Sequence, residues 1–423
     1  MNPKFHLAAG IRTIVRLPRW LRLPHHTAPG TTVPGDFLGI HVAGSPEPAA
    51  EVAVLDRLVS LPIRHVKLDL HPEDPSPHAL QLLDRLARAS FRVLLRLTPK
   101  ASMAAILDSD SAARRHWRAG LEKLPGWAGW TAVEAVEIGA TVNRRRWSGF
   151  SPASLGAAWA DATAVFRPLG ITLAGPNVSD FEPTHLLAFL AAMRRNGGAP
   201  DVATVNLFVE RARTPEAFDA RVAGAFLGPR LRLNLVKKAA VLRDAAIAGG
   251  ARGLWSTHAC WHKFRLERWS SDPETLRAAY LARYLLWSAA SGTLDRVYWG
   301  TLVGCPEGLI DDGVGPRAGL ERVAFYNQAE GDPANWADLP ALSALRFLGG
   351  QLPGSVLLSW LETPDGGVYS TWHHPQRGPW YAAWNTRDVE SPAPATTGEV
   401  RDACGQSLAA PPKTLGPLPV IWG

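Results

Sequence analysis

The feature that most constrains the fold of this chain is an eightfold alternation between short, apolar, β-rich runs and amphipathic helical runs. Such alternation indicates a parallel sheet whose strands are joined by crossover helices. Eight units favour a closed barrel over a doubly wound sheet, and no glycine-rich phosphate-binding motif follows any strand. We therefore predict an α/β fold, a (β/α)8 TIM barrel. The predicted strands are Phe37–Val42, Ile63–Leu70, Phe91–Leu97, Val133–Ile138, Ile171–Ala174, Ala203–Phe208, Gly253–Thr257 and Arg296–Trp299.

The sequence changes character after the eighth predicted strand. A helix is expected at Leu339–Phe347, and short alternating strands separated by Gly, Pro and Asp turns follow it. This pattern is typical of an antiparallel sheet, so we predict a C-terminal β-sandwich appendage whose first strand closes against the segment before the barrel. The predicted division is a basic N-terminal arm at residues 1–35, the barrel at 36–335, and a C-terminal helix and β-sandwich at 336–423.

Positive charge is concentrated at the N-terminus. Five of the seven net positive charges lie in the first 35 residues, which contain no acidic residue. The rest of the chain is nearly neutral, so we expect no nucleic-acid partner, because nucleic-acid binding requires a basic face. The arm also carries an apolar stripe, which suits peripheral contact with an anionic membrane; an arm that is mobile or docked on the body is the alternative. The basic residues of the arm are Lys4, Arg12, Arg16, Arg19 and Arg22.

The cysteines and the N-terminus bear on the cellular compartment. Cys260, Cys305 and Cys404 form an odd number without a CxxC spacing, which suits a reducing compartment. The arm is a poor secretory signal, because no continuous apolar core precedes a small-residue cleavage site. No apolar run approaches the roughly 20 residues that a membrane-spanning helix needs. We therefore predict a cytoplasmic protein, with peripheral contact at the inner membrane as an option.

In a TIM barrel the functional groups lie on loops at the carboxyl ends of the strands. Polar and aromatic residues follow nearly every predicted strand. Tryptophan is frequent, at 17 residues, and large aromatic faces can stack on sugar rings, so composition raises carbohydrate binding as a hypothesis. The candidate residues at these strand ends are His41, Asp69, His71, Asn143, Arg144, Arg146, Trp147, Asp180, Glu182, Glu210, His258, Trp261 and Trp299.

Three segments at these strand ends resemble motifs of glycoside hydrolases. EIGATVN at 137–143 resembles the motif that ends strand 4 in family 39-like barrels, and THACW at 257–261 resembles the strand 7 motif. YWGTLVGCPEGLID at 298–311 resembles the strand 8 loop. The chain is thus similar to the clan of (β/α)8 glycoside hydrolases, especially family 39-like barrels that carry a β-sandwich. The resemblance implies a carbohydrate ligand and a role in making or handling a bacterial surface polysaccharide or lipopolysaccharide.

The resemblance places the family's acid/base glutamate at Thr141 and its nucleophilic glutamate at His258. Retaining glycosidases need two carboxyl groups about 5–5.5 Å apart. Threonine cannot act as a general acid near neutral pH, and histidine is a poor substitute for a carboxylate nucleophile. We therefore expect no hydrolysis by the standard glutamate pair, and whether the chain is an enzyme stays open.

Three functions remain open at this point. The first is a glycan-binding or glycan-assembly protein with a degenerate site. The second is an active glycosidase with displaced carboxylates, the candidates being Asp69, Asp180, Glu182 and Glu210. The third is a metal-dependent barrel hydrolase, its candidate ligands being His258, Cys260 and His262, with His41, Asp69 and His71 on neighbouring strands. We expect no metal and no other cofactor, because we do not expect these ligands to converge on one ion.

Three consecutive arginines, at 144–146, follow the fourth predicted strand. Guanidinium groups bind carboxylates and phosphates in bidentate geometry, so this segment is a candidate recognition loop. We therefore predict an anionic oligosaccharide or polysaccharide as the partner. The predicted substrate-binding residues are Asn143, Arg144, Arg146, Trp147, His258, Trp261, Trp299, His41 and His71.

Overall fold

A closed barrel of eight parallel strands in sequence order forms the centre of the molecule, with its first strand paired to its eighth. The computed structural model describes residues 3–208, 213–219, 222, 230–304, 307–315, 328–387, 391–394 and 398–423. The predicted (β/α)8 barrel is confirmed. Its strands are β1 (Leu38–Val42), β2 (His65–Leu70), β3 (Arg92–Leu97), β4 (Val133–Ile138), β5 (Thr172–Ser179), β6 (Val202–Asn206), β7 (Gly253–Ala259) and β8 (Arg296–Thr301).

Helices cover the outside of the barrel. Several begin where an acidic or amide side chain accepts a backbone N–H bond, as Asp110, Asn234 and Asp272 do. The helices are α1 (Pro3–Arg22), α2 (Pro48–Val59), α3 (Pro77–Arg88), α4 (Ala101–Ala104), α5 (Ser111–Lys123), α6 (Arg145–Ser148), α7 (Pro152–Phe166), α8 (Pro183–Gly197), α9 (Leu235–Gly249), α10 (Lys263–Leu266), α11 (Pro273–Ser291) and α12 (Pro340–Gln351). Short 3-10 segments lie at Leu124–Gly126, Ala128–Ala132, Arg167–Leu169 and Pro333–Asn335.

A small apolar cluster fills the middle of the barrel interior. Towards the amino ends of the strands, the guanidinium of Arg296 pairs with Asp36 and Glu134. The cluster separates that end from the carboxyl ends of the strands, which we call the barrel mouth. Polar side chains face inward there, as expected for a barrel of this kind. The inner cluster consists of Leu94, Ala135, Ala174, Trp255 and Tyr298.

The C-terminal part of the chain forms antiparallel sheets, in agreement with the predicted β-sandwich appendage. A five-stranded sheet has the order β11-β12-β13-β17-β15, and two pairs, β9–β10 and β14–β16, complete the arrangement. The strands are β9 (Ile310–Asp311), β10 (Ala337–Asp338), β11 (Val356–Glu362), β12 (Gly367–His374), β13 (Gly378–Asn385), β14 (Ser391–Pro392), β15 (Val400–Asp402), β16 (Thr414–Leu415) and β17 (Val420–Trp422).

The segment before the barrel pairs with the first long strand of the appendage. Thr32 forms an antiparallel bridge with Val356, and the N–H of Val33 donates to the carbonyl of Ser355 at 2.8 Å. This pairing confirms the expectation that an early strand of the appendage closes against the region before the barrel. The appendage is therefore joined to both ends of the barrel sequence.

The N-terminal arm is helical and lies against the barrel wall. Asp244 of α9 accepts hydrogen bonds from Arg16 at 2.7 Å and from the indole of Trp20 at 2.8 Å, and Arg19 lies 2.9 Å from its other oxygen. The hydroxyl groups of Thr13 and Thr184 are 2.9 Å apart, which ties α1 to the start of α8. Among the described residues, no helix combines the length and the apolar character needed to cross a membrane.

Candidate functional site at the barrel mouth

Charged side chains from the first three strands meet inside the barrel mouth. Asp69 of β2 pairs with Arg96 of β3 and lies 3.2 Å from Nε2 of His41 on β1. Burial opposes ionisation of Asp69, but Arg96 and the neighbouring cations outweigh it, so its pKa lies well below the usual range. Burial lowers the pKa of His41 to about 3. Near neutral pH this corner therefore holds an ionised carboxylate beside a neutral imidazole.

Lys67 extends across the barrel from β2 to β7. Its Nζ donates to the carbonyl of Thr257 at 2.8 Å, and the side chain is fully buried. Burial and the charge of Arg96 lower the pKa of Lys67 to about 8, although Asp69 and Glu137 favour the charged form. The ammonium group is thus held inside the mouth in a largely protonated state at pH 7.

The amide of Asn177 joins the opposite wall of the mouth. Its Nδ2 lies 3.0 Å from Oε1 of Glu137, 2.9 Å from Oδ1 of Asn206 and 2.8 Å from Oγ1 of Thr257. Its Oδ1 accepts the backbone N–H of Thr141 at 2.6 Å. Thr257 also donates its hydroxyl to Glu137 at 2.7 Å. One side chain therefore connects the segment after β4 with β5, β6 and β7.

A second cluster joins the end of β7 to the loop after β8. Nε2 of His258 lies 3.3 Å from one carboxylate oxygen of Glu307, whose other oxygen contacts His262. Cys260 takes part as well, since the donor atoms of His258, Cys260 and Glu307 all lie within 4.8 Å of one another. We did not expect the ligands of this region to converge on one ion, and the structure brings three donor atoms together, one of them from outside the predicted set. The sequence analysis missed Glu307, which lies 47 residues beyond Cys260 and is brought back by β8.

Ion pairs hold the rim of the mouth after β4 and β5. Arg144 binds Asp180 at 2.6 Å through one guanidinium nitrogen and Glu182 at 2.7 Å through another. His185 lies 2.7 Å from the second oxygen of Glu182. Asn143 bonds the backbone of Ser179 in both directions and so fixes the loop. Arg144 already pairs with two carboxylates of the chain, so an anionic ligand must compete for it.

These rim contacts bear on the displaced carboxylates that we considered as catalysts. Burial opposes ionisation of Glu182, but hydrogen bonds from His185 and Asn143 and the charge of Arg144 lower its pKa to about 2. A general acid needs a proton near the working pH, so its pKa must be raised rather than lowered. Glu182 therefore suits an anchoring role for Arg144. Glu210, another candidate carboxylate, lies outside the described residues.

The remaining predicted binding residues separate into two groups. Arg146 and Trp147 are exposed on the rim, and the indole of Trp147 is 48% accessible. His71 is partly buried and its Nδ1 lies 2.5 Å from the carbonyl of Thr98. The prediction that Trp261 and Trp299 offer faces to a sugar is wrong, because both rings are buried against the outer helix α11 and not in the mouth. Their rings stack on each other with centroids 6.1 Å apart and pack against Tyr284 of α11.

Several buried polar atoms of the mouth lack a hydrogen-bond partner among the described residues. Buried polar groups are normally satisfied, so a cluster of exceptions is a feature that needs a physical account. A polyhydroxylated ligand supplies both donors and acceptors and would satisfy such groups. The atoms are Nδ1 of His41, Oδ1 of Asp69, Nε of Arg96 and Oε2 of Glu137.

Lys67 and Arg96 were also missed by the sequence analysis. A signal for both exists, since each is a charged residue within a strand of a parallel sheet that is buried on both faces. In such a strand a charged residue must face the interior of the barrel or an ion-pair partner.

Solved structures of similar fold are glycoside hydrolases. A family 39 glycoside hydrolase from Bacteroides cellulosilyticus WH2 superposes with a TM-score of 0.63 at 15% identity, over 92% of this chain and 80% of that one. A glucosidase from Croceicoccus marinus has a TM-score of 0.59 at 14% identity, over 92% and 83%. A family 39 β-xylosidase from Caulobacter crescentus has a TM-score of 0.52 at 13% identity, over 90% and 84%.

Comparison of the sequence with protein-family models gives no match. Comparison with curated proteins also gives none. The structural likeness, which extends over at least nine-tenths of this chain, is a likeness of fold. The chain therefore has the fold of the family 39-like glycoside hydrolases, a (β/α)8 barrel with a β-sandwich-like appendage.

Proposed function

We propose that this protein binds a glycan in its barrel mouth without hydrolysing it by the standard glutamate pair. The observation that carries the proposal is the set of buried, unpartnered donors and acceptors on His41, Asp69, Arg96 and Glu137. A sugar hydroxyl can donate one hydrogen bond and accept others, so such a ligand complements both kinds of atom. The fold, which is that of enzymes acting on glycosidic bonds, supports the same ligand class.

The absence of standard hydrolysis follows from the residues at the two strand ends. Thr141 and His258 stand where the family resemblance places the acid/base and the nucleophile. Three of the four carboxylates that could replace them are engaged by cations: Asp69 by Arg96, and Asp180 and Glu182 by Arg144. The pKa values of Asp69 and Glu182 lie below their usual ranges, so these two carboxyl groups hold no proton for a leaving group. The site is therefore better suited to binding than to acid–base catalysis.

The proposed ligand is anionic, such as an acidic or phosphorylated unit of a bacterial surface polysaccharide or lipopolysaccharide. Arg146 is exposed at the rim beside Trp147, whose indole face can stack on a sugar ring. The buried interior of the mouth, which we call the floor, carries more carboxylates than cations. The carboxylates are Asp69, Glu137 and Glu307, and the cations are Lys67 and Arg96. We therefore place the negative charge of the ligand at the exposed rim and its hydroxyl groups at the floor. In this arrangement the exposed Arg146 binds the charge of the ligand, whereas the interior Arg96 faces its hydroxyl groups.

The first test measures glycan binding by isothermal titration with acidic bacterial oligosaccharides and their neutral counterparts. Arg146→Ala should weaken binding of the acidic oligosaccharides by roughly 10- to 100-fold, because hydrogen bonds to charged groups are worth about 1.5–3 kcal/mol. Added salt should weaken the same binding in the wild type. The matched control is Arg88→Ala, an exposed arginine of α3 that pairs only with Asp84 on its own helix among the described residues. Equal binding of neutral and acidic oligosaccharides would refute the anionic ligand.

A second surface favours peripheral contact with an anionic membrane. Leu7, Ile11 and Ile14 of α1 follow one another at helical spacing and are 68%, 54% and 70% exposed, so the helix presents an apolar stripe to solvent. Beside it, a groove of about 660 Å³ between α1, α8 and α9 is lined by apolar side chains and by Arg12, Arg16, Arg194 and Arg195. Apolar side chains next to arginines are the combination that binds anionic lipid surfaces.

A further inference from the structure

We propose that His258, Cys260 and Glu307 form a zinc-binding site at the barrel mouth. The three donor atoms, an imidazole nitrogen, a thiol sulfur and a carboxylate oxygen, lie within 4.8 Å of one another. All three residues are at least nine-tenths buried. The three residues are not among those whose unpartnered atoms carry the glycan proposal, so the inference does not depend on glycan binding.

The geometry follows from the positions of the residues in the fold. His258 is the penultimate residue of β7, and Cys260 follows it two residues later. Side chains two residues apart along an extended chain point to the same side. The loop after β8, the neighbouring strand, brings Glu307 to them. Two adjacent strand ends thus supply the donor set without any contribution from distant parts of the molecule.

The separation of the donor atoms suits one metal ion. Zinc binds histidine nitrogen and carboxylate oxygen at about 2.0–2.2 Å and cysteine sulfur at about 2.3 Å, in tetrahedral geometry, so neighbouring ligand atoms lie roughly 3.3–3.8 Å apart. The 3.3 Å between Nε2 of His258 and Oε2 of Glu307 falls in this range. Nitrogen, sulfur and oxygen donors together favour zinc over magnesium or calcium, which prefer oxygen ligands alone. Three protein ligands leave a fourth position for water or another ligand.

The surroundings of the cluster hold its ligands in place. His262 contacts the second oxygen of Glu307, an arrangement in which a neighbouring histidine orients a ligating carboxylate. The ring of His258 packs edge-on against His41 and Phe208, with centroid distances of 5.9 Å and 5.4 Å.

The charge balance of the mouth also favours a dication. The buried floor carries three carboxylates against two cations, and a cysteine thiolate would add one more negative charge. A bound zinc ion would offset this negative charge, of which the contact between His262 and Glu307 offsets only a part. The carboxylates are Asp69, Glu137 and Glu307, and the cations are Lys67 and Arg96.

The test uses the full-length protein, purified without a histidine tag and treated with a chelator. We expect it to take up one equivalent of Zn²⁺, measured by elemental analysis after dialysis, and to show a thiolate-to-metal absorption band with Co²⁺. Cys260→Ser and Glu307→Gln should each weaken Zn²⁺ binding by at least about 10-fold, and Cys260→Ser should abolish the Co²⁺ band. The matched control is Cys404→Ser, since Cys404 is the other described cysteine outside a disulfide and bonds the carbonyl of Pro340.

A second measurement keeps the proposal testable if these variants fold poorly. In the wild type, Zn²⁺ should protect Cys260 from alkylation, while the rate at Cys404 should not change. Uptake of less than half an equivalent of Zn²⁺, or alkylation of Cys260 at the same rate with and without Zn²⁺, would overturn the proposal. Glycan binding rests on other residues and is measured by a separate titration, so the two proposals fail separately.

Discussion

At the scale of single residues, Thr141 and His258 are the two positions at which the family resemblance predicts the catalytic glutamates. Thr141 adopts a left-handed backbone conformation, with φ of 44°, and its N–H is held by Asn177. A β-branched residue is costly in this region, so replacement by unbranched glutamate adds no backbone strain. The position is therefore open to a substitution that restores the family residue.

Restoring both glutamates, by Thr141→Glu together with His258→Glu, should create hydrolysis of aryl glycosides. We expect the double variant to exceed each single variant by at least about 100-fold, because the acid and the nucleophile act together and general acid–base catalysis alone contributes roughly that factor. Release of the aryl alcohol is the measurement, and the two single variants are the controls. Wild-type hydrolysis that disappears in Asp180→Asn or Glu182→Gln would instead establish an active enzyme with displaced carboxylates.

The sequence placed some residues of the mouth and not others, for a physical reason. Positions next to strand ends, such as His41, Asp69 and Thr141, follow from the alternation itself, because parallel strands end at one face of the barrel. The pairing of Arg144 with Asp180 joins residues 36 apart, and Glu307 approaches His258 from 49 residues away. Such contacts depend on loop conformation, which hydrophobic periodicity does not encode.

At the scale of elements, the strands follow the predicted pattern because each is a short, β-rich run between turns. β4 begins and ends at the predicted residues, Val133 and Ile138, whereas β5 extends five residues beyond the predicted end at Ala174. The extension contains Gly175, Pro176 and Asn177, residue types that are depleted in strands, so propensity places the end too early. Tertiary pairing with β6 outweighs that local preference.

The helix α1 carries a prediction at this scale. The double substitution Ile14→Asp with Val15→Asp should reduce binding to vesicles of phosphatidylglycerol and phosphatidylcholine by about 10- to 100-fold. The reason is that two side chains, 70% and 73% exposed, would each lose up to about 1.5 kcal/mol of apolar burial in the lipid interface, and the added acids would be repelled. Co-sedimentation with vesicles is the measurement.

The control for the α1 variant is Val59→Asp, which also replaces an exposed apolar side chain by aspartate. Val59 lies in α2, far from the arm in sequence, and is 53% exposed. It should change vesicle binding by no more than about twofold, a change that the one added negative charge accounts for. Equal binding by the wild type and the α1 variant would show that α1 serves only to cover the barrel wall.

At the scale of the whole molecule, one buried ion pair links the barrel to its appendage. Arg283 of α11 binds both oxygens of Glu216, at 2.7 Å and 2.6 Å, and the indole of Trp384 on β13 donates to the same carboxylate at 3.0 Å. Burial opposes ionisation of Glu216, but Arg283 outweighs it and lowers the pKa. This contact couples the stability of the two parts.

Glu216→Gln should therefore lower the free energy of unfolding by about 3–5 kcal/mol, because it leaves Arg283 buried without a counter-charge. Since the folded-state pKa of Glu216 is lowered, its contribution is present above the unfolded value of 4.5 and is lost as the pH falls through the folded value. In urea titrations, the difference in the free energy of unfolding between the wild type and Glu216→Gln should thus become smaller below pH 4.5. Glu399→Gln, which breaks the exposed pair with Arg401, should change the free energy of unfolding far less than Glu216→Gln does.

The bridge between Thr32 and Val356 has a consequence for the order in which the protein is made. During synthesis Thr32 leaves the ribosome roughly 320 residues before its partner, an interval of about 16–65 s at 5–20 residues per second. β1 also waits for β8, since Gly39 pairs with Tyr298. Thr32 and β1 thus emerge long before the strands with which they pair, and this segment must remain soluble through that interval. A nascent chain stalled before β11 should therefore leave its N-terminal segment open to chaperones and proteases.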